Sequence, residues 1–138
     1  MLGAGKGVAP MALALEDMLG QRIDEGFIVV KYGHGLPLKR IRQAEAGHPV
    51  PDASGVRASG HMLDMARTCT ELDLLICLFT GGASALTPAP APGLGLADLQ
   101  QTTQLLLDCG AAIHELNAVR KHLSVFSGGQ LARAAGGA

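Results

Sequence analysis

Apolar positions along this chain follow two periods, one helical and one strand-like. Over residues 8–19, Val8, Met11, Leu15, Met18 and Leu19 recur at helical spacing, and Gly20 suits the stop. Gly26-Phe27-Ile28-Val29-Val30-Lys31-Tyr32 is β-branched and aromatic and predicts a strand, ended by Gly33-His34-Gly35-Leu36-Pro37. Residues 40–46 fit a short strand or a helical turn, with strand preferred. Gly47-His48-Pro49-Val50-Pro51-Asp52 must be irregular, because each proline fixes its own φ, lacks a donor and pushes its predecessor out of the helical region. Ser54 suits the N-cap of a helix over 55–69 with Val56, Met62, Leu63 and Ala66 inward.

The longest apolar run, Leu74-Leu75-Ile76-Cys77-Leu78-Phe79, has no polar alternation. It therefore predicts a strand buried on both faces, the central strand of a parallel sheet. Small residues take over at Thr80-Gly81-Gly82-Ala83-Ser84. Thr87-Pro88-Ala89-Pro90-Ala91-Pro92-Gly93 is stiff and extended, and reads as a surface or lid loop. An amphipathic helix over 96–109 ends at Gly110, a second covers 113–124, and Gly128-Gly129 precedes an Ala-rich segment at 130–135. Strands alternating with helices predict an α/β domain whose parallel sheet is covered on both faces.

At 138 residues this is one domain, large enough to bury a core without disulfide or metal. Its apolar content is aliphatic, with three Phe, one Tyr and no Trp. A net charge of −1 with scattered basic residues leaves no electrostatic footprint for nucleic acid or an anionic membrane. The start lacks the layout of a secretory leader, and no apolar run reaches the length of a membrane span. A soluble, cytoplasmic protein is expected, with Cys69, Cys77 and Cys109 as reduced, buried thiols.

Two glycine loops carry the candidate chemistry. Gly3-Ala4-Gly5-Lys6-Gly7 leads into the first helix, where unpaired N–H groups and the helix dipole favour an anion. A strand normally precedes such a loop, yet only Met1 and Leu2 do here. Lys6 suits a shared phosphate or is a solvated lysine. The segment is neither a Walker motif nor a full dinucleotide fingerprint, because Val8 stands where a third Gly or Ala belongs. Gly81 and Gly82 are the second loop, and the flanking Thr80 and Ser84 hydroxyls either bind a ligand or cap a turn. His48 and Asp52 bracket two prolines, as substrate contacts or as a structural loop. Asn117, Arg120 and Lys121 share neighbouring faces of one helix, a pattern that also fits a solvated face. The remaining histidines have no metal-ligand spacing.

Taken together, GAGKGVAPMA, VVKYGH, EAGHPVPD, LLICLFTGGASAL and NAVRKHLS followed by Gly128-Gly129 resemble, in order and spacing, the glycerate 2-kinase family, whose members carry a C-terminal MOFRL domain and are sometimes labelled hydroxypyruvate reductase. The resemblance covers Gly3 to about Leu131. It implies a three-layer αβα Rossmann-like domain with a mostly parallel sheet, residues 1–138 being part of an N-terminal domain with the MOFRL domain absent. It further implies ATP-dependent phosphorylation of D-glycerate to 2-phosphoglycerate, with Mg²⁺, in a cleft between two domains. Lys6 matches the catalytic lysine of the GAGK motif. Gly81, Gly82 and Ser84 match a phosphate- or glycerate-binding loop, and His48, Asp52, Asn117, Arg120 and Lys121 fall at other motif positions. Ala83 departs from the usual Ser-Gly-Gly-Gly-Ser. Without the remaining cleft, no appreciable kinase activity is expected of the chain alone. Two rival readings are a nicotinamide-dependent hydroxypyruvate reductase, and a non-catalytic α/β domain that self-associates through exposed apolar edges.

Overall fold

The computed structural model describes residues 1–136. Four strands, β1 (Leu2–Ala4), β2 (Gly26–Lys31), β3 (Ile41–Ala46) and β4 (Cys77–Phe79), form one all-parallel sheet in the order β3-β2-β1-β4. Helix α1 (Val8–Leu19) covers one face, its Val8, Ala9 and Ala12 packing with Ile28, Val30 and Ile41. Helices α2 (Ala53–Arg67) and α6 (Gln130–Ala135) cover the other, where Met62, Leu63 and Leu131 meet Leu2, Phe27 and Val29. The result is the expected three-layer αβα arrangement.

Several local expectations give way to tertiary contacts. Gly3 and Ala4, expected in a glycine loop with no strand ahead of it, instead form with Leu2 a buried strand in the middle of the sheet. Gly3 belongs there because a Cβ would lie 2.8 Å from both the Leu78 carbonyl and the Val8 side chain. The run at 74–79 is not the central strand. Of that run only Cys77–Phe79 is strand, with the Ile76 carbonyl accepting the Leu2 N–H just ahead of it, and among the described residues β1 alone lies beside it, so β4 is an edge, with Leu74 83% and Phe79 45% exposed. An unbroken apolar run reports aversion to water; it does not report how many strands lie beside it.

The buried stripe of α1 is Val8, Ala9, Ala12 and Glu16, while Met11 and Met18 face outward. Alanines let the helix lie close to the sheet, and the Glu16 carboxylate accepts the backbone N–H groups of Lys39, Arg40 and Ile41 at 2.8, 2.7 and 2.7 Å. That carboxylate pins the β2–β3 connection. Desolvation works to raise it, but the three donors and the charge of Lys39 outweigh burial and hold it below the usual range.

The N-cap of α2 is Asp52 rather than Ser54: its Oδ1 accepts the Gly55 N–H at 2.9 Å. Val56 is only half-buried, and Gly55, Ala58 and Ser59 fill the interface alongside Met62, Leu63 and Ala66. A single turn, α3 (Ala83–Leu86), follows the β4 loop. The proline segment is no lid: Thr87, Pro88 and Ala89 are buried, and Ala89 and Ala91 exchange backbone bonds of 2.9 Å with Val125 and Leu123. Helices α4 (Leu96–Asp108) and α5 (Ile113–His122) form a peripheral pair in which Leu116 is the one buried residue among those described. The three cysteines are free but not buried, Cys77 and Cys109 being exposed. Among the described residues, no helix is long and apolar enough to cross a membrane.

Candidate functional site

With β2 on one side of β1 and β4 on the other, the carboxyl ends of β1 and β4 form the crevice in which open α/β sheets place ligands. Two loops meet there, Gly5-Lys6-Gly7 after β1 and Thr80-Gly81-Gly82 after β4. They are stitched together. The Lys6 N–H donates to the Gly81 carbonyl at 3.0 Å, Gly7 N–H to Thr80 Oγ1 at 3.1 Å, and Thr80 N–H to the Ala4 carbonyl at 3.0 Å. Gly5, at φ 137°, is required by this closeness, since a Cβ would run into the Thr80 hydroxyl.

This stitching relocates the anion donors. At the entry to α1, the amides of Gly5, Lys6, Gly7 and Val8 are already given to Val29, Gly81, Thr80 and Gly5. The cradle that the GAGK segment suggests is therefore closed. The Gly81 and Gly82 amides, by contrast, have no partner among the described residues. From the first loop, what remains for a ligand is the exposed Lys6 side chain.

His48 completes this corner. A Cβ placed on Gly82 would lie 2.8 Å from His48 Cδ2 and Nε2 and 3.3 Å from Lys6 Cγ, so the imidazole edge and the lysine stem both rest on that glycine. Burial, then the ammonium groups of Lys6 and Lys31, push the imidazole below its usual range against a smaller opposing pull from its own carbonyl. The shift favours the neutral ring. Lys31, the last residue of β2 and part of the VVKYGH segment, acts on His48 through its charge but is not among the expected site residues. A cation at the carboxyl end of a parallel strand was the available signal.

Asp52 holds the loop rather than facing a ligand. Besides capping α2, its Oδ2 accepts the Tyr32 hydroxyl at 2.8 Å. Desolvation opposes ionisation, but donors from Gly55, Tyr32, Gly47 and Ser54 outweigh it and keep the carboxyl depressed. The Pro51 carbonyl is fixed in turn by the Gln100 side chain at 2.7 Å. Ser84 is exposed, and its carbonyl accepts Arg120 Nη2 at 3.3 Å. Burial lowers the Arg120 guanidinium, which has no carboxylate partner among the described residues. Lys6, Gly81, Gly82 and His48 are thus brought together, with Ser84 and Arg120 one turn away. Asn117 and Lys121 are exposed on α5 and, among the described residues, form no hydrogen bond with the loops after β1 and β4; the Lys121 stem lies beside Gly128.

The electrostatic character is cationic. Among the described residues no three His, Cys, Asp or Glu side chains are grouped to hold a metal ion, and the Asp52 carboxylate on the His48 loop is committed. These residues fit a small oxyanion and do not fit a divalent cation.

The profile of the family described as "Domain of unknown function (DUF4147)" matches residues 1–138. Glycerate 2-kinase of Pyrococcus horikoshii is 44% identical over 96% of this chain and 30% of its own length. A protein of Agrobacterium vitis with a provisional hydroxypyruvate reductase name is 44% identical over 98% of this chain and 35% of its own. The crystal structure of glycerate kinase from Thermotoga maritima superposes with a TM-score of 0.92 at 38% identity, covering 97% of this chain and 33% of that one. The chain thus spans about a third of the length of the curated relatives it matches.

Proposed function

The chain belongs to the DUF4147 family, and from that premise we propose that it forms the anion-binding wall of an ATP-dependent D-glycerate 2-kinase. In this reading the glycerate carboxylate sits against the Gly81 and Gly82 amides, and Lys6 and Lys31 offset the charge of the acid and of the incoming phosphoryl group. Phosphoryl transfer asks mainly for positioning and charge neutralisation, which is what this corner offers. The observation that carries the reading is the pair of stitched loops at the strand-order reversal, with two amides and a lysine side chain that have no partner among the described residues. No step is assigned to Mg²⁺, because these residues do not fit it. Turnover is assigned to the polypeptide matching the remaining two thirds of the relatives acting together with this segment.

The nicotinamide-dependent reductase fits less well. A dinucleotide pyrophosphate uses the amides at the first helix N-terminus, and here those of Gly5, Lys6 and Gly7 are engaged. Calorimetric titration of the chain with D-glycerate tests the proposal. Saturable binding that Lys6→Met weakens about tenfold is expected, from the loss of one charge-assisted contact. Hydroxypyruvate-dependent oxidation of NADH by the chain would overturn it.

A further inference from the structure

We propose that His48 is the residue that selects an α-hydroxy acid, its Nε2 accepting a hydrogen bond from the ligand's 2-hydroxyl while the carboxylate lies on the Gly81–Gly82 amides. This deepens the glycerate reading and rests on it. Three features converge on the assignment. The Cδ2–Nε2 edge of the ring rests on Gly82, the residue whose amide is open, so an acceptor nitrogen stands directly beside the anion position. A hydroxyl on the carbon next to a carboxylate is the ligand group that falls within reach of both.

The ring is also in the right state. An imidazole nitrogen accepts only when neutral, and the Lys6 and Lys31 ammonium groups facing it disfavour its protonation. The one hydrogen bond of the His48 ring among the described residues is to its own backbone, which leaves an acceptor for a ligand. Finally, the ring is held in place from behind. Asp52 ties the far end of its loop to Gly55 and Tyr32, and Gln100 fixes Pro51. A loop anchored this way fixes where the ring stands before a ligand arrives.

The test is calorimetric titration of the chain, of His48→Ala and of His48→Gln with D-glycerate and with 3-hydroxypropionate, which lacks the 2-hydroxyl. The native chain is expected to prefer D-glycerate by about tenfold, the worth of one buried hydrogen bond. His48→Ala should bind both acids alike, at the affinity the native chain has for 3-hydroxypropionate. His48→Gln, whose amide oxygen still accepts, should recover part of the preference and guards against misfolding of the alanine variant. An undiminished preference in His48→Ala overturns this inference and leaves the glycerate reading standing. Binding of neither acid by the native chain overturns both.

Discussion

Gly82 sits at φ 92° with the His48 ring and the Lys6 stem where a Cβ would be. Both facts oppose a side chain there, so Gly82→Ala should cost about 1–2 kcal/mol from the backbone alone and should displace His48 as well. Chemical denaturation reads the first effect and the histidine's NMR shift the second; an alanine variant of native stability would mean that this loop is not held as described. Glu16 is the opposite case, a buried group that the fold uses fully. Removing it in Glu16→Ala strands three backbone donors, for roughly 3 kcal/mol. The sign with pH follows from its depressed carboxyl. Glu16 contributes stability above its ordinary value of 4.5, and that contribution is lost as pH falls through the lower folded value. Asp52 adds to the same acid limb below its ordinary 3.8. His48 acts earlier: with its folded value under the ordinary 6.5, the unfolded chain binds the proton more readily, so stability already declines as pH drops below about 6.5. Glu16→Gln should therefore flatten the lower part of an acid-unfolding curve and leave the histidine step in place.

The two glycine loops act as one unit because Thr80 serves both. Its N–H belongs to β1 through Ala4, and its hydroxyl accepts from Gly7. Thr80→Val keeps the shape and removes the acceptor. It should cost about 1 kcal/mol and speed amide exchange at Gly7, while Thr80→Ser should restore protection; equal exchange in all three would show that the hydroxyl does not join the loops. This joint was not legible in the sequence, where Thr80 and Lys6 are far apart and each glycine loop reads as a separate anion site. The helices were legible wherever a stop residue marked them, Gly20 and Gly110 among them. The cap of α2 was not, because Asp52 and Ser54 are both good caps and the Tyr32 hydroxyl at the end of β2 meets them both. The buried stripe of α1 departs from the expected one for a related reason. Period alone favours methionines, whereas closeness to the sheet favours Ala9 and Ala12.

At the scale of the whole molecule, parallel pairing was legible from the alternation of strands and helices, but the place of β4 was not. Its apolar character suits burial on both faces, and among the described residues only β1 lies beside it. Leu72 and Leu74, 97% and 83% exposed, stand in the turn leading into that edge and border a groove shared with Leu15, Leu19 and Met65. An apolar edge of this kind invites another chain both by its open backbone groups and by its side chains. The chain should therefore associate with itself reversibly in a concentration-dependent way, and sedimentation velocity across a wide concentration range would record the rise in mass. Leu74→Glu places a charge beside the exposed edge without touching the glycine loops or the core. It should return the chain to a monomer with stability changed by less than about 0.5 kcal/mol and with D-glycerate affinity unaltered. If Leu74→Glu associates as the parent does, the contact lies elsewhere, and the apolar residues of the α4–α5 pair, Leu105, Leu107 and Ile113, are the next to test. A parent chain that stays monomeric throughout would show instead that the edge, though apolar, is too narrow at three residues to hold a second copy.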